Sequence, residues 1–411
     1  MSEFNLYAGV DWATTAHQVC VVDGKGKRLL ERSFEHSAEG LGALADAMMK
    51  LGDETPETIA VAIETPRGAV VETLLERGFA VHSINPKQLD RLRDRHTLPG
   101  AKDDRRDAFV LADSLRNDRH LFRHLSIDEP LVIQLRETVR EDKELGHDFN
   151  RVCNQLRDLL LRYFPSLLKL CPAANEEWLW TLLELASTPD KARRLRRAKL
   201  AAHLRIHRIR RFTGEELHEV LQEPTLKLAD GSVQAASAHV RRLLPRLKLI
   251  ASAQSQVRST MDGILAELSE KTPGQKGEHR DVTILLSLPG AGRIVTASML
   301  AEASDGVRNA DYLALRAYGG TAPVTKRSGK STQVLMRRSC SPILRDAFYH
   351  WARIAAQNDS KAKHRYAEGR SRGQTHGRAL RGVADWLLRV ATAMLRNRTL
   401  YRPPETSTVA A

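Results

Sequence analysis

Apolar positions follow different periods in different parts of the chain. Residues 6–10 form a short apolar run that ends at Asp11. Residues 18–22 form a second run, and the Asp23-Gly24 turn after it predicts a hairpin. Residues 58–63 read as a further strand ending at Glu64, 70–76 as a helix, 80–84 as a strand and 103–115 as a helix. Residues 1–125 are therefore expected to form an α/β domain.

From Leu135 the period lengthens. Leu135, Val139, Leu145, Phe149, Val152, Leu156 and Leu159 keep steps near three and four, with Asp142 as a polar intruder. Val240, Leu243, Leu247, Ile250, Gln254, Val257, Met261, Ile264 and Leu268 do the same. Two such runs predict a coiled-coil seam, or else two long antiparallel helices within one chain. Pro245 either kinks the second helix or marks its start. Between the runs, residues 191–211 hold ten Lys or Arg, two His and no acid, interleaved with Leu200, Leu204, Ile206 and Ile209. That pattern predicts an amphipathic helix, its wet face either merely solvated or set against a phosphate backbone. Residues 126–275 thus read as a helical, coiled-coil region with a basic segment. Residues 276–411 read as a mostly α C-terminal domain whose Pro-, Thr- and Ala-rich end, after Arg402, lacks structure.

Charge sharpens the picture. Of 411 residues, 64 are Lys or Arg and 50 are Asp or Glu, a formal net charge of +14. This makes nucleic acid the first partner to consider. No stretch approaches 18 uncharged apolar residues, so no membrane span is expected. The first ten residues lack the basic and apolar regions of a secretory signal. Cys20, Cys153, Cys171 and Cys340 lie far apart without a C-x-x-C pair, which argues against zinc fingers and a disulfide framework and fits a reduced cytoplasm. Aromatic residues make up only 5%, too few for a binder built mainly on base stacking.

Against that background three groups of residues stand out. Asp11 and Glu64 end strands, and Asp104 and Asp107 open a helix. Crowded carboxylates repel one another and call for a cation. Magnesium takes oxygen ligands at about 2.0–2.1 Å, and two ions about 3.5–4 Å apart can clamp the attacking and leaving oxygens of a phosphoryl transfer. Spacing alone leaves Asp103 and Asp104 open as partners of Asp107, and Asp103 can equally cap the helix. Each acid could also be a plain turn residue. The second group is Leu288-Pro289-Gly290-Ala291-Gly292 followed by an apolar helical stretch at 294–301. It resembles a helix-hairpin-helix, in which glycines let the backbone approach a phosphate; a simple helix-ending turn is the alternative. The third is a polar loop, 326–331, in which Ser328 stands among Lys326, Arg327, Lys330 and the later Arg337. A serine hydroxyl there is either a nucleophile activated by its surroundings or a group that only holds a phosphate. Residues 361–381 add seven Lys or Arg against one acid.

Together the motifs resemble the DEDD transposases of the IS110 insertion-sequence family, described as bridge-RNA-guided recombinases. The matching stretches are Ala8-Gly9-Val10-Asp11, Ala62-Ile63-Glu64-Thr65, the run from Ala101 to Ala108, Leu288 to Gly292, Ala317 to Pro323, and Ser328-Gly329. The resemblance implies an RNase H/RuvC-like N-terminal domain with Mg2+ or Mn2+, two ions per site, held by Asp11, Glu64, Asp104 and Asp107. It selects Asp104 over Asp103, although Asp103 stands where the family usually has Thr. It implies a C-terminal transposase domain in which Ser328 attacks DNA, with Ser331 as the nearest competitor. It further implies double-stranded donor and target DNA, a structured guide RNA that supplies sequence choice by pairing, and a dimer or tetramer that assembles the site between subunits in the bacterial cytoplasm. A metal-only junction nuclease and a non-catalytic nucleic-acid scaffold are the alternatives.

Overall fold

The computed structural model describes residues 4–402 apart from 52, 54, 94–102, 127, 230, 271–279 and 330. The chain separates into two units, Met1–Glu129 and Pro130–Ala411.

The first unit is built on β1 (Leu6–Asp11), β2 (Ala16–Asp23), β3 (Arg28–Glu35), α1 (Ala38–Leu51), β4 (Ile59–Ile63), α2 (Ala69–Glu76), β5 (Ala80–Ser83), α3 (Pro86–Arg93), α4 (Asp104–Asn117) and β6 (Arg123–His124). Its six-stranded mixed sheet has the order β3-β2-β1-β4-β5-β6. β1, β4 and β5 run parallel, while β2, β3 and β6 pair antiparallel to their neighbours. The two-residue period of the strands supplies two cores, because successive side chains point to opposite faces. Leu6, Ala8, Val10, Val61 and Ile63 pack with Leu44 and Met48 of α1 and Leu74 of α2. On the other face Ala60 and Ala62 pack with Leu89 of α3 and Leu111 of α4. The turn at Asp23-Gly24 joins β2 to β3 as the sequence predicts: Asp23 Oδ1 accepts from the backbone of Lys25 and of Lys27, at 2.9 Å each.

The second unit is mostly helical. It comprises α5 (Pro130–Tyr163), α6 (Glu177–Leu185), α7 (Pro189–Arg193), α8 (Arg197–Ile206), α9 (Gly214–Gln222), α10 (Ser232–Ser269), α11 (Asp281–Ser287), α12 (Arg293–Glu302), α13 (Ser304–Arg308) and α14 (Tyr312–Tyr318). A hairpin of β7 (Val324–Ser328) and β8 (Ser331–Leu335) follows, then α15 (Pro342–Asn358), α16 (Ser360–Ser371) and α17 (His376–Asn397). α5 and α10 lie antiparallel: Asp142 pairs with Arg258 at 2.8 Å, and Gly146 lies against Gln254. The seam positions Val152, Leu156, Val240, Leu243, Leu247 and Ile250 are buried in one core, while Val139, Met261 and Ile264 join another that runs on into α11–α17. Those apolar runs are thus covered within this chain.

Two expectations are corrected here. Pro245 does not start α10; the helix begins at Ser232 and the proline lies inside it, the position in which a kink is expected. Residues 191–211 are not one helix. α7 starts at Pro189 behind a Thr188 cap and ends at Arg193, and α8 ends at Ile206 before Arg208, whose φ is +55°. Leu200 and Leu204 are buried as the pattern requires, but Ile206 is 76% exposed.

No helix among the described residues is long and apolar enough to cross a membrane.

Candidate active site

Asp11 and Glu64 come together because β1 and β4 are parallel neighbours in register, Val10 opposite Ile63. The strand period places Asp11 on the face of Tyr7 and Gly9, and Glu64 on the face of Ala60 and Ala62. That face is the one covered by α3 and α4. Gly9 sets the distance between sheet and helix. A Cβ on Gly9 would lie 2.0 Å from the Ala108 carbonyl and 2.6 Å from the Ala112 nitrogen, so α4 rests on bare backbone. This close contact carries Asp104 and Asp107, in the first turn of α4, toward the end of β1. Asp103 is the N-cap of α4: its side chain accepts from the Arg105 nitrogen at 3.3 Å. Of the motif's opening, Ala101 and Lys102 lie outside the described residues.

The electrostatics record the convergence. Burial, then the charges of Asp107 and Asp104, push the Asp11 carboxyl up to about 6; Glu64 adds to the rise and Arg93 opposes it. Asp107 is buried and forms a two-point pair with Arg93, Nε to Oδ1 at 2.8 Å and Nη2 to Oδ2 at 2.9 Å. No three His, Cys, Asp or Glu side chains among the described residues form a ready metal-holding group. In chemistry, however, the donor set fits a hard divalent cation. It offers oxygen alone, and after burial the largest influences on the Asp11 carboxyl are the neighbouring carboxylates, whose charge a cation would offset.

The second unit presents Ser328 differently. The expected polar loop is an antiparallel hairpin in which Ser328 and Ser331 face each other across the turn. Gly329, at φ +54°, makes that turn; Lys330 lies outside the described residues. Ser328, Lys326 and Arg327 are exposed. Arg337 is not beside Ser328. It follows β8 and donates to the Ala322 carbonyl at the foot of the hairpin, six residues along the chain before Ser328. Asp385 of α17 holds that foot, accepting from Arg316 Nε at 2.9 Å, Tyr312 Oη at 2.9 Å and Thr321 Oγ1 at 3.3 Å. In the neighbouring motif, a Cβ on Gly319 would run into the Phe348 ring at 2.0 Å.

The Pro-Gly-x-Gly turn joins α11 to α12. Its two glycines serve different ends. A Cβ on Gly290 would meet the Ala355 nitrogen at 2.7 Å, and Pro289 accepts from Trp351 Nε1 at 2.9 Å, so this half of the turn is packed on α15. Gly292, the N-cap of α12, has open space around it. In the basic segment, Arg197 pairs with Glu215 and Arg211 with Glu176. Arg196, Lys199, Arg205, Arg208 and Arg210 are exposed and, among the described residues, without an ion pair.

Arg93 and Asp385 were invisible to sequence reasoning. Neither stands in a motif, and each acts on a partner 14 or more residues away.

Comparison with known proteins finds two matched stretches, the first of which runs past the sheet unit to the end of α5. Residues 8–165 match the DEDD IS110 transposase model, described as a transposase. Residues 282–367 match the model described as the transposase IS116/IS110/IS902 family. The "Mini-circle putative transposase for IS117" of Streptomyces coelicolor is 32% identical over 391 residues, covering 93% of this chain and 92% of that protein. The "Putative transposase y4uE" of Sinorhizobium fredii is 51% identical over 209 residues, 51% of this chain and 58% of its own. The 43.6 kDa protein of insertion element IS110, also from S. coelicolor, is 28% identical over 408 residues, 97% of this chain and 96% of its own. The class so defined is a transposase, an enzyme that cuts and rejoins DNA. Within it, the chain belongs to the IS116/IS110/IS902 family.

Proposed function

We propose that this transposase exchanges DNA strands through Ser328, assisted by a divalent-metal site of Asp11, Glu64, Asp104 and Asp107, at places chosen by a structured guide RNA. The observation that carries the reading is that Glu64, Asp104 and Asp107 all act on the Asp11 carboxyl, at the end of β1 and β4 where α4 begins. The strand order and these acids support an RNase H/RuvC-like domain. The turn at Gly292 supports a helix-hairpin-helix contact with phosphate.

In the proposed reaction the Ser328 hydroxyl oxygen attacks a phosphodiester phosphorus. An Oγ–P bond forms, the P–O3′ bond breaks, the 3′ oxygen leaves with a proton, and the 5′ phosphate stays on the serine. A DNA 3′ hydroxyl then reverses the step on a new strand. One phosphodiester replaces another, so no ATP is consumed. Bound Mg2+ or Mn2+ would stabilise the charge growing on the phosphate. Lys326 and Arg327 offer positive charge next to Ser328. The carboxylates and the serine must reach the same linkage, within one chain or between protomers of a dimer or tetramer. The exposed cations of the basic segment and of residues 361–381 suit the guide RNA and the donor and target DNA.

The test is strand exchange with guide RNA, donor and target DNA. Ser328→Ala is expected to lose cutting and the detergent-stable protein–DNA adduct while still binding RNA. Asp11→Ala is expected to lose cutting as well. A Ser328→Ala variant that cuts would leave a metal-only nuclease, and an active Asp11→Ala variant would refute the carboxylate site.

A further inference from the structure

Arg93 closes α3 with its guanidinium laid against Asp107, and both carboxylate oxygens are engaged, at 2.8 and 2.9 Å. The remaining nitrogen, Nη1, donates to Asp90 Oδ1 at 2.6 Å. The Asp107 side chain is 5% exposed and that of Asp90 63%, so the fork is buried at one end and wet at the other. Burial works against the charge on Arg93, but Asp107, Asp90 and Glu64 outweigh it. The guanidinium therefore sits within the cluster whose carboxylates the proposed function gives to metal.

Two-point pairing with arginine and direct ligation of a cation compete for the same lone pairs. A divalent ion takes carboxylate oxygen directly, mono- or bidentate. Asp107 is too buried to fall back on water if its partner leaves, and an unpaired buried carboxylate is costly. Something positive must cover it whenever no ion is present, and Arg93 is the group that does. Asp90 gives the displaced guanidinium an exposed carboxylate to stay on, since that bond uses a nitrogen that Asp107 does not.

We propose that Arg93 is the resident cation of the metal-free site, and that metal loading is an exchange in which the ion displaces its guanidinium from Asp107. The inference rests on the carboxylate reading above. It makes Arg93 a positioning residue that keeps α3 and the first turn of α4 together until the ion arrives.

The test is Mn2+ binding to the full chain by titration calorimetry, with thermal melting in chelator and in saturating Mn2+. Arg93→Gln is expected to bind Mn2+ more tightly, on the order of tenfold, because the ion no longer displaces a charge-assisted pair. It is expected to melt below the parent in chelator, with the gap closing once Mn2+ saturates. Arg93→Lys, which keeps the charge but not the fork, should lie between, and it carries the test alone if the glutamine variant fails to fold. Unchanged affinity overturns the exchange. So does a fall of roughly 10–100-fold, which would mark Arg93 as a group that orients a ligating Asp107. Asp11→Asn separates the two claims. If it loses Mn2+ while the Arg93 variants bind like the parent, only the exchange fails. If no chain, the parent included, binds Mn2+, the carboxylate reading fails with it.

Discussion

Asp107 is 4% exposed, in a helix packed on a six-stranded sheet, whereas Ser328 stands at the end of a strand in a hairpin whose strand residues, Val324 excepted, are exposed on both faces. The acids are placed by the scaffold. Parallel register sets Asp11 beside Glu64, bare backbone at Gly9 lets α4 approach, and Arg93 grips Asp107. Among the described residues, the hairpin is anchored at its foot, through Asp385 and Arg337. An isolated two-stranded ribbon is marginal in water. In the proposed reaction the carboxylate end would thus be built before DNA arrives, and the serine end would depend on substrate to fix it.

The sharpest way to break this contrast is to substitute both ends and compare stability with activity. Gly9→Ala should force α4 off β1. Overpacking of this kind costs about 1–3 kcal/mol, more where backbone cannot yield, and strand exchange should vanish with the loss of stability read in denaturant melts. Ser328→Ala should abolish exchange as completely but leave the melt within about 0.5 kcal/mol, as expected of an exposed side chain.

Asp11 gives a middle-sized effect with a pH signature. Its folded pKa, about 6, lies above that of an unfolded carboxyl. The folded chain holds the proton more tightly, so this group's contribution declines as pH rises from about 4 through 6. Asp11→Asn should remove that decline in metal-free protein, raising stability at pH 7 by about 1–2 kcal/mol once partial exposure is discounted, while activity is lost. A stability profile that keeps its slope in the variant would deny the crowding of the four acids. Asp385→Asn should cost about 1–2 kcal/mol and slow exchange without touching Mn2+ binding, since it loosens only the foot of the hairpin. The smallest effect belongs to the basic segment: Arg196, Lys199 and Arg205 changed together to Ala should lower the salt slope of duplex binding by roughly 0.9 per lost phosphate contact, with melting unaltered.

How much was legible beforehand follows the same division. β1, β4 and α4 show in the sequence because buried strands are apolar runs and the acids sit where those runs stop. β3 shows only as the far side of a turn, because it is an edge strand whose one buried residue is Phe34. The serine segment reads as a polar loop because a hairpin exposed on both faces has no alternation to reveal it. The breaks in the basic segment, at 194–196 and after Ile206, escape notice because no Gly or Pro marks them and Arg208 takes a positive φ in spite of its side chain. Asp103 and Asp104 are indistinguishable by spacing; in the fold Asp103 caps α4 through Arg105, while Asp104 is among the charges acting on Asp11. Arg93 leaves no local signal at all, since its meaning comes from a tertiary pair.

The central claim is that the carboxylates and Ser328 act on one linkage. Its most direct measurement is mass spectrometry of the peptide holding residue 328 after a stalled exchange reaction. The account predicts a 5′-phosphoryl nucleotide on Ser328 in the parent and none in Asp11→Asn. Cleaved DNA with no modified serine, or a modified Ser328 that forms unhindered in Asp11→Asn, would contradict it.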